Sequence, residues 1–182
     1  ETAFGVSTSA GIPPEFAQET LVLPLDRLDL LDQMLHQHAE DIACVIIEPI
    51  PANNGLLLQD TAYLQALREK TKEHNILLIF DEVISGFRVG FDGAAGHYGI
   101  QPDILTYGKI IGGGMPVGAY AASHEIMGHI APDGPVYQAG TLSANPVAMA
   151  AGLAAVQQLL QPGFYEELSG KTQGFVGVIL DH

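Results

Sequence analysis

The sequence predicts an α/β fold with a mostly parallel sheet flanked by helices. Two observations carry this. Short, wholly apolar runs rich in branched residues alternate with stretches of helical periodicity, the order expected when helices cross between parallel strands. Several of those runs end in acids or in a lysine, and in such sheets ligands gather at the carboxyl ends of the strands.

Each element follows from its own residues. Residues 1–24 are rich in Ser, Thr, Gly and Pro, show no period, and carry the breaker Pro13-Pro14, so a long loop is expected there. Leu28, Leu31, Met34 and Leu35 recur at helical spacing within residues 26–38. IACVIIEPI, residues 42–50, is a continuous apolar run of the kind buried on both faces of a sheet. Asp60 is a helix cap for residues 61–74, with Leu64 and Leu67 inward and Lys70, Lys72 and His74 near the C-terminus, where the dipole favours cations. ILLIFDE is a second strand, ILTYGK a third and PVGAYAAS a fourth. Asn145 caps a helix over residues 145–160, with Pro146 at its first position and Pro162-Gly163 as its stop. That helix is apolar nearly all round, which predicts packing on several sides.

Composition narrows the function. The 182 residues suffice for one sizeable core, and 47% are apolar. A net charge of −14 with only seven Lys and Arg excludes a basic nucleic-acid footprint and disfavours an anionic membrane. No apolar run approaches the ~20 residues that span a bilayer. Cys44 is the single cysteine; it has no internal disulfide partner and is expected as a small core residue in a reducing compartment. The chain opens ETAFGVSTSAG without Met and stops at GFVGVILDH amid an apolar pattern, so it is expected to be a piece of a longer polypeptide.

Some chemistries fail on spacing. Asp81-Glu82 ends a buried strand as a Walker B element does, but a Walker A loop is missing: Gly108-Lys109 has Asp103 and Ile110 where that motif needs Gly and Ser or Thr. Gly112-Gly113-Gly114 leads into Met-Pro-Val and does not complete a dinucleotide fingerprint. His124 and His129 in HEIMGH are one residue too far apart for a shared helix face, and His36 and His38 point apart on theirs. All four are expected to be exposed, and no metal site is expected.

Lys109 stands out. It follows a strand, precedes three glycines and has apolar flanks in a chain poor in lysine. In a partly dry setting such an amine becomes a nucleophile that can form a Schiff base with an aldehyde. The glycines would leave room for a flat cofactor. Pyridoxal phosphate needs three further parts. Asp81 suits the pyridine nitrogen. Thr141 and Ser143, leading into a helix N-terminus, suit the phosphate. Val83, two residues beyond Asp81, suits the ring face.

The stretches LLIFDEVISGFRV, PDILTYGKIIGGGMPVGAY and GPVYQAGTLSANPVAMAAG resemble the class III pyridoxal-phosphate aminotransferases, and more narrowly their glutamate-1-semialdehyde aminomutase branch. The resemblance runs to about residue 170. It implies part of the large domain of the aspartate-aminotransferase-like fold (fold type I), a homodimer with active sites at the interface, and a cytoplasmic or plastid enzyme that converts a small amino-aldehyde with pyridoxal or pyridoxamine 5'-phosphate. Lys109 falls on the Schiff-base lysine, Asp81 on the partner of the pyridine nitrogen and Val83 on the residue against the ring. Gly140 and Thr141 fall on the segment reaching the neighbouring subunit's phosphate. Residues 1–24 are gating-loop-like, 25–162 the cofactor-binding core, and 163–182 the start of a helix toward an absent C-terminal domain. The family's upstream phosphate loop and stacking aromatic are also absent, so the piece is expected to be inactive alone. Asn53, in EPIPANNG, occupies a position where many relatives carry the Glu of EPIQGEAG and the mutases carry Asn. Pro51-Ala52 replace the usual Ala-Gly, and TLSANP replaces TLSGNP. The alternatives are an ω-aminotransferase with separate donor and acceptor, or a non-catalytic module of the same fold.

Overall fold

The computed structural model describes residues 3–5, 7 and 9–180. Residues 1, 2, 6 and 8 of the expected gating segment, and 181–182, lie outside the described residues. The segment is not wholly loop. Strand β1 (Ala3–Phe4) and strand β2 (Leu21–Val22) pair antiparallel, with the short helix α1 (Pro14–Gln18) between them. Pro13-Pro14 reads as a breaker but starts this helix. Proline at the first position loses no needed N–H and brings its φ preset.

Helix α2 (Leu28–His38) buries Leu31, Met34 and Leu35, as the spacing predicts. Strand β3 (Cys44–Ile47) leads to helix α3 (Thr61–Glu73), whose cap is the Asp60 carboxylate accepting from the Ala62 N–H at 2.9 Å. Lys70 on α3 pairs with Asp32 on α2. Strand β4 (Leu77–Asp81) follows, and then a short helix that periodicity does not reveal, α4 (Gly93–Tyr98). Strand β5 (Ile104–Tyr107) passes through a 3-10 turn (Lys109–Gly112) to strand β6 (Ala119–Ala122). Helix α5 (His124–Met127), helix α6 (Pro146–Leu159) and helix α7 (Phe164–Leu180) complete the chain.

The main sheet has the order β3-β4-β5-β6, with the first three strands parallel and β6 antiparallel to β5. Its register separates two faces. Ile47, Leu78, Phe80 and Leu105 lie on one, packed with Leu31, Leu64, Leu67, Ala94 and Tyr98 from α2, α3 and α4. Cys44 and Ile46 lie on the other, where Ile46 is 62% exposed. The expectation that β3 is buried on both faces is therefore corrected, and with it the core placement of Cys44, which is exposed. No described helix covers this face of β3, and among the described residues β3 is an edge strand.

Two acids pin β4 to its surroundings at opposite ends. Asp103 Oδ2 accepts from the Leu78 N–H and from Arg68 Nη1, both at 2.7 Å, while the Asp103 N–H donates to the Leu78 carbonyl. At the other end, Glu82 is wholly buried. Its carboxylate accepts from Ser85 Oγ at 3.0 Å, the Ala94 N–H at 2.6 Å and the Ala95 N–H at 2.8 Å. A buried carboxyl group is tolerable only when it is bonded in this way. Gly93, at φ +64, is required there because a Cβ would strike the Glu82 carboxylate.

Helix α6 begins as predicted, with Asn145 Oδ1 accepting from the N–H groups of Val147 and Ala148. It packs on the 3-10 turn through missing side chains: a Cβ on Gly152 would strike the Ile111 carbonyl, and one on Gly113 the Ala151 carbonyl. Its outer face is open, with Val147 63% and Leu153 60% exposed, so packing on several sides is not what this chain alone provides.

Two stability outcomes follow. Gly152→Ala lifts α6 from the turn and costs about 1–3 kcal/mol, read as a lower urea midpoint. Glu82→Ala leaves two backbone N–H groups and a hydroxyl without their acceptor, a loss of about 3 kcal/mol or more at ~1–3 each. Glu82→Gln retains part of the network and loses less by the same measurement.

Candidate active site

The parallel pairing of β4 with β5 sets Asp81 opposite Thr106. Both lie at the carboxyl edge of the sheet, where ligands of such folds sit. Asp81 is half-buried. Its Oδ1 accepts from the Val83 N–H at 3.0 Å and from Thr106 Oγ1 at 3.3 Å. Its Oδ2 accepts no hydrogen bond among the described residues, so this acid is held by one oxygen and keeps the other available. Glu82, next in sequence, turns to the opposite side and is consumed by α4. The acid pair thus divides into one structural and one open carboxylate.

Lys109 lies three residues beyond Thr106, at the first position of the 3-10 turn. It adopts φ +46, a left-handed conformation unusual for lysine. The turn is closed by Ile111 N–H to the Gly108 carbonyl at 3.2 Å and Gly113 N–H to the Ile110 carbonyl at 3.0 Å. Val83 leans on this segment: its Cγ1 stands 3.2 Å from where a Cβ on Gly108 would be. The structure therefore ties Val83 to Asp81 through its N–H and sets its side chain against Gly108, the residue before Lys109. One detail is corrected: Lys109 is exposed in this chain rather than set in a dry pocket, and its amine pairs with no described residue. Of the three glycines after it, Gly113 lets the turn meet the Ala151 backbone of α6, Gly112 lies against Val117, and Gly114 faces open space.

Asn53 lies in an exposed turn, residues 53–55, beyond the carboxyl end of β3. It is on the same edge of the sheet as Asp81, without a side-chain hydrogen bond among the described residues. Gly140 and Thr141 are exposed in the turn preceding α6. No hydrogen bond joins that turn to Asp81, Val83 or Lys109 among the described residues. The first N–H groups of α6 are already occupied by Asn145, so the anion-binding capacity predicted there rests on the turn itself.

A groove of about 940 Å³ lies elsewhere: Arg68, Asp103 and Ser123 line it at the opposite edge of the sheet. No cluster of metal-ligating side chains occurs among the described residues. His36, His124 and His129 are exposed as expected, while His38 is half-buried with its Nδ1 4.0 Å from Asp41. No described helix is long and apolar enough to cross a membrane.

Three contributors escape the sequence. Thr106 is a donor to Asp81 only because two strands 25 residues apart pair in this register. Glu82 is distinguishable from Asp81 by strand alternation, a usable signal, since Phe80 and Glu82 face the core side. Tyr107 has no such signal. Its phenol is pushed up by burial, then by the Glu82 and Asp92 charges.

Residues 14–178 match the family model described as aminotransferase class-III. The chain is 52% identical over 174 residues to glutamate-1-semialdehyde 2,1-aminomutase of Desulfosudis oleivorans, covering 93% of this chain and 41% of that relative. An ω-transaminase from Sphaerobacter thermophilus superposes with a TM-score of 0.80 at 42% identity, over 86% of this chain and 36% of its own. A transaminase with PLP bound gives a TM-score of 0.79 at 37% identity, over 86% and 37%. This chain thus spans about two-fifths of the length of the curated relative. It belongs to the class III aminotransferases.

Proposed function

We propose that this chain is the cofactor-binding core of an enzyme that moves an amino group within glutamate 1-semialdehyde to give 5-aminolevulinate, with pyridoxal or pyridoxamine 5'-phosphate as cofactor. The observation that carries it is the row at the strand ends: an Asp81 that keeps one oxygen open, one strand from an unpaired Lys109. The residues fit the cofactor. An open, half-buried carboxylate suits a protonated pyridine nitrogen, and Val83, bonded to it through its N–H, lies against Gly108 beside the lysine. When bound, the cofactor carries the nitrogen and provides the ring that delocalises the substrate's carbanion character.

The chain's residues do the rest. Asp81 Oδ2 would hold the proton of the ring nitrogen, and Val83 would pack against the ring. The Lys109 amine takes up and returns the proton at the substrate carbon, as general base and then acid. In a homodimer, Gly140 and Thr141 reach the phosphate site of the neighbouring subunit, which agrees with their exposure in a single chain. The N-terminal segment closes over the site and keeps the intermediate between the two half-reactions from escaping. Asn53, in place of a glutamate, and the identity to an aminomutase favour exchange within one substrate. The structural likeness to an ω-transaminase favours the second reading, transfer between a separate donor and acceptor.

The deciding experiment uses the full-length parent. Given glutamate 1-semialdehyde and no other amino donor or keto acid, it accumulates 5-aminolevulinate over many turnovers. Product that appears only with an added donor or acceptor makes it an ordinary aminotransferase. Lys109→Ala in the parent lowers turnover by about 10²–10⁴-fold or more while circular dichroism stays unchanged. The 182-residue chain alone turns over no substrate; robust activity from it would show that the described row is sufficient.

A further inference from the structure

The loop after Asp81 is tied from a distant part of the chain. Tyr165, on the first turn of α7, donates its hydroxyl to the Phe87 carbonyl at 2.9 Å, across 78 positions of sequence. Phe87 has φ +60, a conformation that a bulky residue keeps only when its surroundings impose it. The surroundings are visible. Its ring meets Tyr107 at a centroid distance of 5.5 Å and Phe91 at 5.3 Å. Gly86 lies so close to Tyr107 that a Cβ would be 2.7 Å from the ring. Tyr107 is the last residue of β5, two positions before Lys109.

The loop therefore grips the segment around Lys109 at two points: Val83 on Gly108, and Phe87 with Gly86 on Tyr107. α7 buries no residue of its own, and its Tyr165 hydroxyl holds that grip from outside. We propose that Tyr165 is a positioning residue for Lys109, acting through Phe87 and Tyr107. The functional part rests on the role proposed above for Lys109. Without the hydroxyl, the Phe87 carbonyl is released and its ring loses its fixed place on Tyr107. The backbone of Gly108 and Lys109 then samples more conformations, and the amine is spread over a wider volume.

Hydrogen exchange of the 182-residue chain tests the mechanical part without cofactor. In Tyr165→Phe, exchange rises several-fold over residues 84–91 and 107–111 and stays at the wild-type rate in α3. Unchanged exchange at 107–111, or a rise that includes α3, overturns the proposal. Phe87→Leu keeps the carbonyl and loses the aromatic ring, and it loosens 107–111 in the same way; wild-type exchange there has the same adverse meaning. The second readout is chemical. The full-length parent is treated with pyridoxal phosphate, reduced with borohydride and peptide-mapped, and label at Lys109 is compared with label at the exposed Lys72. The wild type prefers Lys109, and Tyr165→Phe lowers that ratio several-fold. A preference that survives the substitution overturns the clamp, whereas an even ratio in the wild type overturns the role of Lys109 itself.

Discussion

The buried Glu82 carboxylate is the interaction on which the site's geometry depends. It stands one residue beyond the end of β4, turned into the core by strand alternation. Stripping water from a carboxylate costs several kcal/mol, and the bonds from Ser85, Ala94 and Ala95 offset it. Two of those donors are backbone N–H groups at the start of α4, otherwise unsatisfied at a helix N-terminus. One side chain thus closes the loop from 83 to 93 and seats the helix that follows. Because Glu82 faces inward, Asp81 faces the other way, towards Thr106 and the open edge.

The second constraint is backbone contact. The 3-10 turn that carries Lys109 is backed by α6, and the contact exists because Gly113 and Gly152 have no side chains. Within the glycine-rich run beside the lysine, Gly113 therefore fixes the turn against α6, while Gly114 leaves open space. A left-handed lysine in such a turn is held by neighbours on both sides: α6 behind it, and Val83 on the preceding Gly108.

The exposure of the candidate row has a matching cause. One face of the sheet carries the core, and the face bearing Ile46 is bare at β3. Parallel sheets ordinarily have both faces covered. The chain spans 41% of the aminomutase it resembles at 52% identity. Exposure of Lys109, Thr141 and the outer face of α6 is thus a property of this chain taken alone.

Much of this was legible in the sequence. Apolar runs and caps determine where β3, β4, α3 and α6 lie, because burial and capping are local demands of the chain. Motifs in linear order point to the family and the candidates Asp81, Val83 and Lys109, because each stands at or just beyond the carboxyl end of a strand. Tertiary structure decided the rest. It recruited Thr106, brought the 3-10 turn and α6 together at Gly113 and Gly152, left Cys44 exposed and joined Tyr165 to Phe87. Those outcomes depend on which strands pair and which backbones touch. Residues 25 to 78 positions apart are brought together by register and packing, for which a linear pattern of apolar and polar residues has no sign.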